Sequence, residues 1–268
     1  MERIVEAVLA PGGVAATAAP GAVAHVVEIG PGRGALTGPL LSRGLSVVAL
    51  ELDGGLAAAL RLRLPPERLT IVEGDAVTFD LDALVALAGG PPVPLVGNLP
   101  YESATPMVRR FVRRPDLFPR VVVMVQKEVA ERIAAGPGTP GYGFLSVDVA
   151  AHAAAARLFD VAPGEFSPPP KVVSSVVALV PRPPRPGTAG ALAVASAGFA
   201  SRRKTLLNAL GARWGRERAA GALRAAGLPA TTRAEEIGLD AFERLAAALP
   251  PPGDGGRDVD LPARSGSG

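Results

Sequence analysis

The segment Val96-Gly97-Asn98-Leu99-Pro100-Tyr101 brings together groups that can act on an amine. The side-chain oxygen of Asn98 can accept one hydrogen from such an amine. A main-chain carbonyl at Leu99, held by Pro100, can accept another. Two acceptors fix the orientation of the nitrogen and favour its pyramidal, nucleophilic form. The exocyclic amine of adenine needs that help, because its lone pair is delocalised into the ring. The chemistry is positioning plus electrostatics, with no general base. Tyr101 can stack on a base, and Phe166 can cover the other face. A sulfonium donor is already a good leaving group, so no metal is required. Without its neighbours, the same tetrapeptide would be a proline turn with an Asn cap.

The neighbouring motifs decide between these readings. Glu28-Ile29-Gly30-Pro31-Gly32-Arg33-Gly34 lies between a strand pattern and a helix pattern. Glycines such as Gly30 and Gly32 let the backbone approach a ligand closely at a helix N-terminus. The spacing differs from the dinucleotide fingerprint, and a simple tight turn is the alternative. The second strand pattern ends in Glu51, whose carboxylate can accept both hydroxyls of a ribose. The third ends in Gly74-Asp75-Ala76, where the acid can take the amino group of an adenine ring. Each acid by itself is a solvated loop residue. At successive strand ends of one sheet they describe an adenosine pocket. No basic residue is placed to grip a pyrophosphate, which favours S-adenosylmethionine over NAD.

These motifs must be carried by alternating strands and helices. Strand patterns cover residues 23–29, 45–50, 69–72, 93–96 and 120–125, with helix patterns at 35–43, 56–64 and 127–135. The alternation predicts an α/β fold, a Rossmann-like sheet with helices on both faces. Two further segments, 144–158 and 172–180, read as β-rich and close this domain. Between them, Phe166-Ser167-Pro168-Pro169-Pro170-Lys171 is a stiff loop, because each proline fixes its own φ. The first domain spans residues 1–181, and 182–188, rich in proline, reads as a linker. Residues 189–249 are helical in pattern, with breaks near Gly211, Gly227 and Gly238. Residues 250–268 are rich in Pro, Gly and Ser and read as a disordered tail.

Composition narrows the function classes. The 268 residues are 48% hydrophobic and 20% charged, which supports a substantial core. There are no cysteines and two histidines, which removes disulfides, thiol nucleophiles and the common zinc sites. No apolar run approaches the length of a membrane span, and the acidic Met1-Glu2-Arg3-Ile4-Val5-Glu6 is unlike a signal peptide. The expectation is a soluble, cytoplasmic monomer. A net charge of +3 with pI 9.8 is compatible with a nucleic-acid partner, although a GC-rich genome produces the same bias.

The chain resembles the ribosomal RNA adenine N6-dimethyltransferase family, most closely its KsgA-type small-subunit branch, with the Erm macrolide-resistance methyltransferases as cousins. The resemblance runs from near the N-terminus to about Leu249. It rests on the motifs starting at Val27, Leu50, Gly74 and Gly97, on Val125-Gln126-Lys127-Glu128-Val129-Ala130-Glu131-Arg132, and on Phe166-Ser167-Pro168-Pro169-Pro170-Lys171-Val172. It implies methyl-donor binding at Gly30, Gly32, Glu51, Asp75, Ala76 and Asn98. It also implies dimethylation of two adjacent adenosines in a hairpin loop near the 3′ end of small-subunit rRNA. Arg202-Arg203-Lys204-Thr205-Leu206 fits the small-subunit branch better than the resistance branch.

One departure stands out. Family members open with a basic segment and a Gln-Asn/His-Phe-Leu motif over the methyl donor, whereas Met1–Val5 matches the helix after it. The expectation is a start codon placed late, or a donor pocket lacking one wall and weaker in donor binding. Arg109 and Arg113, with Arg110 and Arg114, and the Arg202, Arg203, Lys204 cluster are candidates for gripping phosphates; a solvated helix face is the plainer reading. Two alternatives stay open at this point. One is a non-catalytic module that binds RNA or a ribosome precursor. The other is a large-subunit rRNA methyltransferase conferring resistance.

Overall fold

The computed structural model describes residues 1–10, 24–165, 171–201 and 203–250. The chain divides into two units, Met1–Pro184 and Arg185–Gly268.

The first unit is built on seven strands. They are β1 (His25–Ile29), β2 (Ser46–Glu51), β3 (Leu69–Glu73), β4 (Leu95–Asn98), β5 (Val121–Gln126), β6 (Ala153–Val161) and β7 (Ser174–Pro181). Their order in the sheet is β3-β2-β1-β4-β5-β7-β6. The first five are parallel, and β7 and β6 add an antiparallel hairpin at one side. Strands buried on both faces carry continuous apolar runs, as Val121-Val122-Val123-Met124-Val125 does. The period-2 pleat sends alternate residues into two cores. Val27, Ile29, Val121 and Val123 face α4 (Leu81–Leu87) and α5 (Ala104–Val112). Val26, Val122 and Met124 face α1 (Glu2–Leu9) and α2 (Thr37–Ser42). The remaining helices of this unit are α3 (Gly54–Arg63), α6 (Lys127–Ala134) and α7 (Phe144–His152).

Two features differ from the pattern-based expectation. Residues 144–152 form a helix, α7, and the strand begins only at Ala153. Seven of its residues, Leu145 to Val149 with Ala151 and His152, are buried, so there is no polar face to reveal a helical period. Helix α4 has no counterpart in the expected pattern. Asp80 caps it by accepting from Asp82 N at 2.9 Å and Ala83 N at 3.3 Å.

The second unit contains α8 (Thr188–Phe199), α9 (Leu206–Trp214), α10 (Arg216–Ala225) and α11 (Leu239–Ala247). Gly211 does not break a helix as expected; it lies inside α9. A Cβ there would sit 3.4 Å from the Arg216 Cα, so the glycine serves a close approach of α9 to α10. The break falls at Gly215, whose φ of +88° suits glycine. The predicted tail beyond Pro250 lies outside the described residues.

Candidate active site

The parallel pairing aligns four strand ends along one edge of the sheet. Ile29 is opposite Leu50 and Gly97, Glu51 is opposite Glu73, and Asn98 is opposite Met124. The strand order reverses between β1 and β4, so connections diverge there and leave a crevice. The glycine turn, Glu51, Asp75 and Asn98 all leave the sheet at this edge.

Gly30 lies next to the tetrapeptide: a Cβ on it would be 3.2 Å from the Asn98 carbonyl oxygen, and its φ is +64°. Glu51 is 7% exposed and holds the turn in place. Its Oε2 accepts from Gly32 N at 2.9 Å and its Oε1 from Asp53 N at 3.0 Å. Each oxygen keeps a further lone pair, so the carboxylate is oriented without being saturated.

The third strand end is similarly braced. Gly74 N donates to the Glu51 carbonyl at 2.9 Å. Asp75 Oδ1 accepts from Val77 N at 2.8 Å, and the Asp75 carbonyl from Thr78 N and Phe79 N. Ala76 is buried, and its N–H has no acceptor among the described residues. A free carboxylate oxygen beside a free N–H matches the donor–acceptor pair on the edge of adenine.

At the fourth strand end, Leu99 N donates to the Met124 carbonyl at 3.0 Å, which anchors the tetrapeptide. The Leu99 carbonyl receives no hydrogen bond among the described residues, and the Asn98 carboxamide is exposed and unpaired there. Tyr101 Oη is 3.1 Å from Ser174 Oγ, which steadies the ring from β7. Pro100 is exposed. Phe166, expected on the other face of a base, lies outside the described residues.

Gly97 keeps this strand end close to the glycine turn. A Cβ there would be 2.7 Å from the Ile29 carbonyl oxygen, a contact that backbone must move to relieve. Gly97→Ala is therefore expected to force β4 from β1 at a cost of ~1–3 kcal/mol. The measurement is a thermal melt beside a titration with S-adenosylmethionine: the midpoint falls by several degrees and donor affinity drops with it.

The family model described as ribosomal RNA adenine dimethylase matches residues 13–248. The chain belongs to the ribosomal RNA adenine dimethylase family. It is 43% identical over 242 residues to the ribosomal RNA small subunit methyltransferase A of Methylococcus capsulatus, covering 89% of this chain and 91% of that one. It is 41% identical over 228 residues to the protein of the same name from Bordetella avium, covering 84% of each. The solved structure of the 23S rRNA methyltransferase ErmE shares the fold, with TM-score 0.67 and 23% identity over 92% of this chain and 96% of that one. As a member of this dimethylase family the chain is an S-adenosylmethionine-dependent rRNA adenine methyltransferase. The expected Rossmann-like methyltransferase sheet followed by helices is the fold observed.

In this dimethylase the basic residues after the tetrapeptide have internal partners. Arg109 Nε donates to Asp148 Oδ2 at 2.5 Å and Arg113 Nη2 to Asp148 Oδ1 at 3.0 Å. Asp148 lies on α7 with its side chain 2% exposed, so two guanidiniums compensate one buried carboxylate. Arg114 pairs with Asp82 and Asp116. Arg110 reaches main-chain carbonyls. The four arginines therefore tie α5 to its surroundings before any phosphate is considered. Sequence reasoning missed Asp148, although a lone acid within Phe144–His152 is a signal for a buried partner. In the second unit, Arg203 and Lys204 are exposed in the turn between α8 and α9, while Arg202 lies outside the described residues. Lys127, from the Gln126-Lys127-Glu128 motif, is structural: its Nζ pairs with Asp160 at 3.1 Å and its N donates to the Val173 carbonyl. No helix among the described residues is long and apolar enough to cross a membrane.

Proposed function

We propose that this enzyme dimethylates N6 of two adjacent adenosines in a hairpin loop near the 3′ end of small-subunit rRNA. The observation that carries the site assignment is the single sheet edge shared by Gly30, Glu51, Asp75 and Asn98. The names of the relatives support the small-subunit target.

The residues divide the work as follows. Glu51 accepts the ribose hydroxyls through its remaining lone pairs, and Gly30 and Gly32 leave room for the donor's amino-acid end. Asp75 accepts from the adenine amine of the donor while the Ala76 N–H donates to the adjoining ring nitrogen. On the substrate side, Asn98 Oδ1 and the Leu99 carbonyl each accept one N–H of the target amine, and their geometry turns its lone pair toward the reacting methyl. When bound, S-adenosylmethionine supplies that methyl, whose bond to sulfur breaks as the bond to N6 forms. The released proton passes to water, so no base is needed. Pro100 holds the Leu99 carbonyl, and Tyr101, braced by Ser174, stacks on the target base, with Phe166 on its second face. Arg203 and Lys204, with Arg202, grip phosphates flanking the loop. A base in a loop is already partly unstacked, which lowers the cost of presenting it.

The test is expression in a bacterium whose small-subunit rRNA lacks these methyl groups, followed by mapping of dimethyladenosine on both rRNAs. Dimethylation of both adjacent adenosines in the small-subunit loop is expected. Modification of the large-subunit rRNA instead would assign the chain to the resistance branch. Absence of modification, together with absence of S-adenosylmethionine binding, would make it a non-catalytic binding module.

A further inference from the structure

Arg110, on α5, reaches to the loop that follows β3. Its Nη1 donates to the Ala76 carbonyl at 2.8 Å and its Nη2 to the Phe79 carbonyl. The Ala76 carbonyl shares a peptide plane with the Val77 N–H, which donates to Asp75 Oδ1 at 2.8 Å. One peptide thus carries a guanidinium on its oxygen and the Asp75 carboxylate on its nitrogen. A charged donor on the carbonyl polarises the peptide and strengthens its N–H as a donor. Among the described residues nothing else donates to that carboxylate, so this bond sets its rotation. The same guanidinium pins both ends of the turn, at Ala76 and Phe79. The Ala76 N–H lies in the preceding peptide, whose carbonyl, that of Asp75, accepts from Thr78 N and Phe79 N within the same turn. Helix α5 begins just after Tyr101, so Arg110 also fastens the helix on the substrate side to the loop on the donor side.

We propose that Arg110 is a positioning residue for the methyl donor. Through the Ala76–Val77 peptide it sets the rotation of the Asp75 carboxylate against the donor's base, and by pinning the turn it keeps the Ala76 N–H beside that carboxylate, and thereby makes the pocket selective for adenine. The inference rests on the assignment of Asp75 and Ala76 to the adenine pocket. Its content is specificity: a residue that merely braced the loop would affect all donors alike.

The experiment uses the full chain and two probes, S-adenosylhomocysteine and S-inosylhomocysteine, titrated calorimetrically. Hypoxanthine carries an oxygen where adenine has its amine and an N–H where adenine has its ring acceptor. It therefore opposes Asp75 and the Ala76 N–H at both positions. The wild type is expected to prefer the adenosyl probe strongly. Arg110→Met should weaken that probe about tenfold, the effect of one hydrogen bond to a charged group, and leave the inosyl probe unchanged. Arg110→Lys keeps the charge but reaches a single carbonyl, and should fall between; it also carries the comparison if the Met variant does not fold. In methyl transfer the KM for the donor should rise while kcat at saturating donor holds. Equal weakening of both probes would overturn the inference and leave the pocket assignment standing. A wild type with no preference for the adenosyl probe would overturn the pocket assignment, and the inference with it.

Discussion

Asn98→Ala is expected to lower kcat for methyl transfer to rRNA by about 10²–10³, the range for deleting one preorganised group that acts on developing charge. The carboxamide is exposed and carries no hydrogen bond among the described residues, so its removal should not unsettle the fold. The unfolding midpoint should stay within about a degree of the wild type, as for surface substitutions away from packed or paired groups. On the proposed mechanism, what is lost is one of the two acceptors that would orient the target amine. The Leu99 carbonyl remains and holds one N–H, but the lone pair is then free to rotate away from the methyl. Because the loss falls on the reacting geometry, kcat should fall much more than donor affinity. Transfer of radiolabelled methyl groups to small-subunit rRNA, measured beside calorimetric donor binding, gives both numbers. Methylation at the wild-type rate would remove Asn98 from the mechanism.

The second large effect concerns Glu28, on β1 immediately before the glycine turn. Glu28 is 1% exposed, and its Oε2 has no hydrogen-bond partner among the described residues. Burial pushes its carboxyl up from the ordinary value of 4.5 to about 8. The Thr37 hydroxyl beside it closes no regular hydrogen bond and offsets only part of that rise, while the negative charge of Glu51 adds to it. At neutral pH the side chain is therefore a carboxylic acid, and glutamine is close to it in size and charge.

The sign of the pH dependence follows from proton counting. Between pH 4.5 and 8 the folded protein keeps a proton that the unfolded chain has released. Each step up in pH therefore favours unfolding, by about 1.4 kcal/mol per unit. The contribution is intact below the unfolded value, is lost progressively across the window, and levels off above the folded one. Glu28→Gln should match the wild type in acid and become increasingly more stable than it as the pH rises to 8. Urea unfolding of both proteins at a series of pH values reads the difference directly. A difference that stays flat, or that grows on acidification, would contradict a neutral Glu28.

The strands and the candidate residues at their ends were legible because each is written in a few adjacent residues. Apolar runs such as Val121–Val125 declare strands buried on both faces. The glycine turn, Glu51 and Asp75 each follow such a run directly. Helix α7 was hidden for the opposite reason: Phe144–His152 is buried on nearly all sides, so its period leaves no trace in the polarity pattern. Gly211 shows a related limit. A glycine inside a helix looks like a break until the neighbouring helix that needs the space is known.

What the sequence by itself determined is the inventory of candidates: Asn98 and Leu99, the glycine turn, and the two strand-end acids, each marked by a signal in a few adjacent residues. The tertiary structure decided how these meet. Placing β4 beside β1 is what sets Gly30 against the Asn98 carbonyl. The internal partners of the arginines on α5 and just after it were also set there. Arg109 and Arg113 look like a phosphate grip in sequence, yet they compensate Asp148, which lies 39 and 35 residues away. Arg110, in the same run, turns instead to a carbonyl 34 residues back. A guanidinium goes to whichever acceptor the fold leaves unsatisfied, and that is a property of packing rather than of local sequence.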